Sequence, residues 1–265
     1  MKYHNLVVET SGCLMVVTLN RPERLNAINL ELMMELKHLM GELRADQDTR
    51  FVIFTGAGTA FSCGVEFTDE EMKKRYSRPE LANERLWQIF GQEFMHAMEN
   101  LEQVTVAAVN GAAVGAGLCL AMNCDFRIAA EAAVFGIPEA NLGIFFTWGA
   151  TPRLTALIGA AKTKELIMTC ESIGAQEALA IGLVNRAVPA ADLIGSCKEL
   201  VEKMESRGPL ALRICKKIVN ASSMARMADL YVCEPELVER LMLSKDVEEG
   251  IRAFLEKRAP RFSGK

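Results

Sequence analysis

A stretch near the middle of the chain, residues 104–125, has the residue types that could bind a negative charge. The apolar, β-branched run at 104–109 predicts a buried strand, and Asn110-Gly111 supplies the turn chemistry that ends it. Small residues at 112–117 then lead into apolar residues at 118–122, which are spaced like one face of a short helix. The start of a helix leaves main-chain N–H groups unpaired beside the positive end of its dipole. The stretch therefore predicts backbone donors that face an anion.

The spacing of the glycines shows which anions this turn does not bind. A P-loop needs Gly-Lys followed by Ser or Thr, and here Leu118-Cys119 follows Gly117. A dinucleotide fingerprint needs G-x-G-x-x-G, and Gly111, Gly115 and Gly117 do not match it. Two interpretations stay open. The donors could stabilise a carbonyl oxygen as it becomes an oxyanion, or the small residues could serve only close packing.

Length and composition are those of an ordinary globular protein: 265 residues, 50% hydrophobic and 24% charged. A net charge of −4 and the lack of a basic run interleaved with aromatics argue against nucleic-acid binding. Neither a signal peptide nor an apolar stretch long enough for a membrane span is evident, so no membrane association is expected. The eight cysteines contain no C-x-x-C pair, which predicts buried thiols, no metal and a cytoplasmic location.

Hydrophobic periodicity predicts an α/β chain, with strands in the first two thirds and helices in the last third. The predicted strands are 6–8 and 14–19, which form a hairpin, then 51–55, 104–109, 126–129, 133–135 and 183–188. The predicted helices are one capped by Asn29, then 81–101, 152–158, 163–168, 175–181, 191–204, 209–219, 227–243 and 246–256. The glycine-rich stretches 56–64 and 137–143 are predicted turns, and the polar stretch 68–79 is a predicted mobile loop.

Six groups of motifs occur in an order that a known family shares. They are LNRP with LNA at 19–27, AFSCGV at 60–65, AAVNG through Asp125 at 107–125, FGIPE with LG at 135–143, AIGLV at 180–184 and FLEKR at 254–258. Through them the chain resembles, nearly end to end, the enoyl-CoA hydratase/isomerase family, also called the crotonase superfamily.

The resemblance implies an α/β fold of the crotonase-like (ClpP/crotonase) type. This is a spiral of β-β-α units followed by a C-terminal helical region that packs into trimers. Residues 1–200 would form the spiral core with the acyl-CoA site, and residues 201–265 the helical oligomerisation region. Because such trimers are often paired, the resemblance implies a homotrimer or a homohexamer, a dimer of trimers.

The resemblance also implies an acyl-CoA site with an oxyanion hole made by two backbone N–H groups, which map to Val65 and Ala116. The implied substrate contacts are Arg24, Leu25, Ala27, Cys63, Val65, Glu66, Phe67, Ala116, Cys119 and Trp148, with Phe254 and Lys257 coming from a neighbouring subunit. The alternative for Arg24 and Lys257 is an ordinary solvated surface charge. No cofactor is implied beyond the CoA moiety of the substrate.

Two positions bear on which reaction of the family the chain catalyses. Hydratases of the family use one glutamate in the helix after the glycine turn and another in the Pro-Glu turn. Here the Pro-Glu position is Glu139, but the helix position is Cys119. A single carboxylate suits a proton shuttle, as in the family's isomerases. We therefore expect Glu139 to be the catalytic acid and base of an enoyl-CoA isomerase.

Three other functions stay open. The chain could be an enoyl-CoA hydratase or dehydratase with an altered second group, or a hydrolase of a thioester or β-diketone with Glu139 or His96 as base. It could also be a CoA-binding homologue without catalysis, since fold does not fix function. Glu139 itself could merely cap a helix or pair with an arginine. Cys119 has no histidine near it in sequence, which favours a buried, inert thiol over a nucleophile.

Overall fold

Strands and helices alternate along the chain, as in an α/β protein. The computed structural model describes residues 2–66, 81–224, 235, 237–239 and 241–263, except for the side chains of 81–88 and 224. The strands are β1 (Leu6–Ser11), β2 (Leu14–Leu19), β3 (Phe51–Gly56), β4 (Ala60–Ser62), β5 (Val104–Val109), β6 (Ala112–Val114), β7 (Phe126–Ala130), β8 (Val134–Gly136), β9 (Ile173–Gly174) and β10 (Arg186–Val188). The helices are α1 (Leu30–Ala45), α2 (Leu81–Glu99), α3 (Ala116–Asn123), α4 (Ala150–Ile158), α5 (Ala160–Thr169), α6 (Ala175–Ala180), α7 (Leu193–Glu205), α8 (Pro209–Met224) and α9 (Lys245–Leu255), with 3-10 turns at Pro22–Arg24, Glu139–Leu142 and Ala190–Asp192. None of the described helices is long and apolar enough to cross a membrane.

Within the described residues these strands form two sheets. The larger has the order β1-β2-β3-β5-β7-β10, in which β1 and β2 are the predicted hairpin and the remaining neighbours are parallel. The smaller has the order β4-β6-β8-β9, and only β9 is antiparallel. Each of the pairs β3–β4, β5–β6 and β7–β8 places one strand in each sheet, and α2 and α3 follow the first two pairs. This is the spiral of β-β-α units that the resemblance implies.

The two buried central strands, β3 and β5, separate two apolar layers. Because alternate side chains of a strand point to opposite faces, Val52 and Phe54 join the core that contains α1 and α3. Phe51 and Ile53 point the other way and pack with the buried face of α7. Parallel strands covered on both faces read as continuous apolar runs, and these two strands do so.

Two short strands lie where the sequence predicted only turns. β4 falls inside the predicted turn 56–64, and β6 falls inside the small-residue stretch 112–117. Three residues are too few to show an alternating pattern. They are strands because they pair with distant segments, Ala60 with Ala112 and Ala113 with Phe135. The two-residue strand β9 was missed for the same reason.

The other strands and helices predicted within the described residues are confirmed, although their ends differ. The largest change is at 183–188, where only Arg186–Val188 is a strand. The predicted mobile loop 68–79 lies outside the described residues, as does most of the predicted helix 227–243. The expected domain boundary at residue 200 falls inside α7, which packs on the larger sheet, so the core continues to the end of that helix.

Asn26 attaches the loop after β2 to the turn between β3 and β4. The residue is fully buried and has a φ of 54°, a conformation that asparagine adopts more readily than most residues. Its Oδ1 accepts a hydrogen bond from Arg21 N at 2.9 Å. Its Nδ2 donates to the carbonyl oxygens of Ala57 and Ala60 at 2.9 and 2.8 Å. One side chain thus holds together the segments that precede and follow β3.

Asn26→Ala is expected to lower the free energy of unfolding by about 2–4 kcal/mol, because it leaves buried polar groups unpaired at a left-handed position. Asn29→Ala is the matched control, since Asn29 only caps α1 by accepting from Leu32 N at 2.9 Å. Loss of such a cap costs about 1 kcal/mol. Chemical denaturation of both variants measures the difference, and equal losses would contradict the role assigned to Asn26.

Candidate active site

Three parallel strands of the smaller sheet end at one edge and bring three chain segments together. β4, β6 and β8 lie side by side, so their carboxyl ends meet, which is where open α/β sheets bind ligands. Cys63 to Val65 follow β4, Gly115 and Ala116 follow β6, and Glu139 comes shortly after β8. The sheet therefore assembles the two predicted oxyanion donors and the predicted acid/base at one place.

The N–H group of Val65 points away from the segment that pairs with it. Ile28 donates to Gly64 O at 2.7 Å and accepts from Glu66 N at 3.0 Å, so Ile28 and Val65 form a parallel bridge. In such a bridge the residue between the two bonded neighbours directs its own N–H to the opposite side. The opposite side of Val65 is a pocket that this residue lines.

The N–H group of Ala116 is the first of helix α3. The first four N–H groups of a helix have no intrahelical acceptor and lie at the positive end of the helix dipole. Gly115 precedes it with φ 52° and ψ −121°, a conformation open mainly to glycine, and donates its own N–H to Gly136 O at 3.0 Å. The N–H of Gly115 is therefore already used, and the next N–H along the chain is that of Ala116. Ala116 lines the same pocket as Val65.

The two loops approach too closely for a side chain to fit between them. A Cβ atom on Gly64 would lie 2.9 Å from Val114 O and 3.5 Å from Ala116 N. Gly64 also has a φ of 95°, which turns the chain toward Val65. Glycine at this position allows the backbone of Val65 to lie beside that of Ala116, as an oxyanion hole requires.

Glu139 begins the 3-10 turn and directs its carboxylate back at the glycine turn. A Cβ atom on Gly115 would lie 2.8 Å from Glu139 Oε1, so the carboxylate lies over Gly115. Its Oε2 is buried and has no hydrogen-bond partner among the described residues. The carboxylate therefore lies beside the two predicted donors and is not directed to bulk solvent.

Burial raises the pKa of Glu139 to about 7, because an apolar pocket disfavours the charged carboxylate. The backbone N–H of Glu139 partly opposes this shift. A carboxyl group with a pKa near neutral is populated in both protonation states. This property suits a group that must take up a proton and return it.

A mostly apolar pocket of about 560 Å³ surrounds these groups. Its mouth carries exposed side chains: Arg24 is 58% exposed and Phe254 54% exposed. Its inner wall carries buried side chains, among them Cys119, Phe146 and Trp148. The pocket wall thus combines exposed residues, one of them charged, with buried apolar residues.

A second carboxylate lines the pocket but is held by arginine. Glu66 lies 2.7 Å from Arg21 Nη2 and 3.8 Å from Arg24 Nε. The close pair with Arg21 fixes the position of this carboxylate. Glu66 is therefore a structural anchor of the pocket wall rather than an available base.

Most of the implied contact residues lie on this pocket. The ones that line it are Arg24, Ala27, Cys63, Val65, Glu66, Ala116, Cys119, Trp148 and Phe254. Leu25 does not, because its left-handed backbone turns a half-exposed side chain outward, and Lys257 does not line it either. Phe67 lies outside the described residues. Sequence analysis did not single out Asn141, Leu142 and Ile144. The apolar character of Leu142 and Ile144 alone does not distinguish a pocket wall from ordinary core.

Two expectations about more distant residues are wrong. Phe254 was expected from a neighbouring subunit, but it lines the pocket of its own chain. The reason is that α9 packs on the turn that carries Glu139: a Cβ atom on Gly250 would lie 2.6 Å from Leu142 O. His96 was a candidate base, but it is exposed on α2, contacts Asn100 and does not line the pocket.

Backbone donors beside a buried carboxylate at the edge of this spiral are the arrangement that the family resemblance implies, and the comparisons identify the family. The family model for enoyl-CoA hydratase/isomerase matches residues 9–265, so the chain belongs to the enoyl-CoA hydratase/isomerase family. It is 37% identical to a short-chain-enoyl-CoA hydratase of Clostridium acetobutylicum, with 97% of each chain covered. It is 35% identical to a crotonyl-CoA hydratase of Syntrophomonas wolfei, with 100% of each covered.

Solved structures show the same fold, which is the crotonase fold. An enoyl-CoA hydratase from Bacillus anthracis matches with a TM-score of 0.76 and 37% identity, covering 99% of this chain and 100% of that one. A monofunctional enoyl-CoA isomerase from M. smegmatis matches with a TM-score of 0.70 and 32% identity, covering 86% and 98%. Both reactions are thus found among similar structures.

Glu139→Gln is expected to be more stable than the parent at pH 8, and this gain should be absent at pH 4. Because the folded pKa of Glu139 is above its unfolded value, the native state is destabilised when the carboxyl ionises. This destabilisation is absent below the unfolded pKa, grows as the pH rises and is complete above about 7. Urea denaturation at both pH values measures it.

Glu66→Gln is the control for this measurement, because it removes the partner of Arg21 and should destabilise the protein at pH 8. A Glu139→Gln variant that is less stable than the parent at pH 8 would contradict the burial argument.

Proposed function

We propose that this enzyme isomerises the double bond of an enoyl-CoA thioester, with Glu139 as its single proton carrier. The observation that carries the proposal is the difference between the two carboxylates of the pocket. Among the described lining residues, Glu66 is held by arginine, whereas Glu139 makes no ion pair and has a pKa near neutral. An isomerase needs one such group, because the same carboxylate can remove a proton from one carbon and deliver a proton to another.

The proposed reaction begins with a 3-enoyl-CoA whose thioester oxygen accepts hydrogen bonds from Val65 N–H and Ala116 N–H. The Glu139 carboxylate removes a proton from C2, and the electron pair moves into the carbonyl to form a dienolate. The two amides stabilise the oxyanion; losing one such donor typically costs about 3 kcal/mol. Glu139, now protonated, delivers the proton to C4, the double bond moves to C2–C3, and 2-enoyl-CoA is released.

The apolar lining contributes to this chemistry in two ways. It excludes water, which strengthens the hydrogen bonds to the oxyanion and keeps the dienolate from other reactions. It also raises the pKa of Glu139 to about 7, close to a neutral pH. The thioester would enter past Arg24 and Phe254, because these exposed residues lie at the open end.

Hydration of a 2-enoyl-CoA is the second candidate, and the names of the similar hydratases favour it. Adding water requires a group that holds and deprotonates the water as well as a group that protonates carbon. Cys119 lies one helical turn after Ala116 on the pocket wall, where a second carboxylate would serve this purpose. A buried thiol is a poor substitute, so we place isomerisation first.

Glu139→Gln is expected to lower kcat/KM for 3-enoyl-CoA by at least about 10³-fold, because the amide cannot accept the proton. The parent enzyme should show kcat/KM rising with pH through about 7, since the ionised carboxylate is the base.

In heavy water the product should carry deuterium at C4 and the recovered substrate at C2. Unchanged turnover in Glu139→Gln would exclude Glu139 as the base, whereas release of free CoA thiol would indicate a hydrolase.

Cys119→Glu is expected to give or increase hydration of crotonyl-CoA, because it adds a second carboxylate to the wall that carries Ala116. The product is 3-hydroxybutyryl-CoA, measured by chromatography. The double variant Cys119→Glu, Glu139→Gln is the control and should not hydrate. Efficient hydration by the parent enzyme would instead favour the second candidate.

A further inference from the structure

Trp148 is one of the buried aromatic side chains of the pocket wall. The side chain is 3% exposed and packs in the main core, yet it also lines the pocket. Arg24 and Phe254, in contrast, lie at the exposed end, with the donors of the oxyanion hole and Glu139 also on the pocket wall. A chain that enters beside the exposed residues and extends into the buried part of the pocket therefore meets aromatic side chains.

The backbone at Trp148 has an unfavourable conformation. Its φ is 60°, and Gly149 follows with a φ of 70°. A left-handed conformation is common for glycine but is an outlier for a bulky side chain, and it persists only where the surrounding structure enforces it. This turn directs the indole ring inward just before α4 begins.

Gly91 accommodates the indole ring from the opposite side. It lies inside α2, and a Cβ atom there would be 2.3, 2.4 and 2.5 Å from Trp148 Nε1, Cδ1 and Cε2. The pyrrole part of the ring therefore lies directly against the backbone of the helix. Glycine inside a helix is less stable than alanine, and here no larger residue fits.

We propose that Trp148, seated on Gly91, is the end wall of the acyl subsite and restricts the substrate to short acyl chains. Two locally unfavourable features, a left-handed tryptophan and a glycine inside a helix, meet at one point, which is typical of positions under functional constraint. The proposal depends on one part of the proposed function, which is that an acyl-CoA binds in this pocket. The position of the wall then decides how many carbons fit beyond the thioester.

The wall predicts how affinity depends on chain length. Each methylene that is buried adds roughly a fourfold gain in affinity. Saturated acyl-CoAs should therefore bind more tightly with each added carbon until the chain reaches the indole ring, and then no longer. Removing the ring connects the pocket with the space beside Gly91, so the increase should continue for several more carbons.

The experiment measures the Kd of butyryl-, hexanoyl-, octanoyl- and decanoyl-CoA by calorimetry, with CoA itself as reference. These ligands carry no double bond, so binding is tested apart from turnover. Trp148→Ala should raise the affinity for decanoyl-CoA relative to hexanoyl-CoA by at least tenfold compared with the parent. Trp148→Phe should give an intermediate ratio.

A second variant acts in the opposite direction. Gly91→Ala should push the indole ring toward the ligand and weaken hexanoyl-CoA more than butyryl-CoA. Gly41→Ala is the matched control, because Gly41 is a glycine inside α1 with open space where its Cβ atom would lie. It should leave the dependence on chain length as in the parent. If Trp148→Ala does not fold, the ratios of Gly91→Ala and Trp148→Phe decide the question.

The proposal is overturned if these variants change the affinity of every acyl-CoA and of CoA by the same factor. Suppose that the variants change the dependence of affinity on chain length as predicted, but the parent isomerises no 3-enoyl-CoA. This result would support the wall and reject the proposed reaction. If the parent and Trp148→Ala both isomerise 3-enoyl-CoA and prefer the same chain lengths, the reaction is supported and the wall is rejected.

Discussion

The parallel pairing of three very short strands is the constraint on which the candidate site depends. β4, β6 and β8 contribute only three residues each, yet their register decides where the three segments that follow them meet. Gly64 allows this approach, because a Cβ atom there would lie 2.9 Å from Val114 O, and Gly115 leaves room for the carboxylate of Glu139. A shift of one residue in β6 would move the Ala116 amide away from Val65 and from the carboxylate of Glu139.

The same apolar surroundings have opposite consequences for the two carboxylates of the pocket. Glu66 pairs with Arg21 and serves to anchor the loop after β4. Among the described residues Glu139 has no such cation, and burial raises its pKa to about 7. The destabilisation that accompanies a buried, unpaired carboxylate is of the kind that proteins retain at functional sites. α9 closes this region from the same chain by packing on the turn that holds Glu139.

Sequence analysis located most of the elements and the segments of the site, but it missed what depends on distant pairing. The apolar runs of β3 and β5 were recognisable because both faces of these strands are buried. β4 and β6 were predicted as turns, because small residues beside glycine carry no periodicity. His96 was placed near the site by its position along the chain, whereas the turn of α2 on which it lies faces solvent.

The order of the motifs by itself determined the family and the spiral fold, because strand patterns, turn residues and the glycine positions are local properties of the chain. It also identified Glu139 as the candidate acid and base, and Cys119 as the position where this chain lacks the second glutamate of the family's hydratases. Only the tertiary structure decided that Phe254 lines the pocket of its own chain, that Glu66 pairs with Arg21 and that the Trp148 ring lies against Gly91. These facts depend on which distant backbones approach each other, and such distances are set by packing rather than by any local pattern.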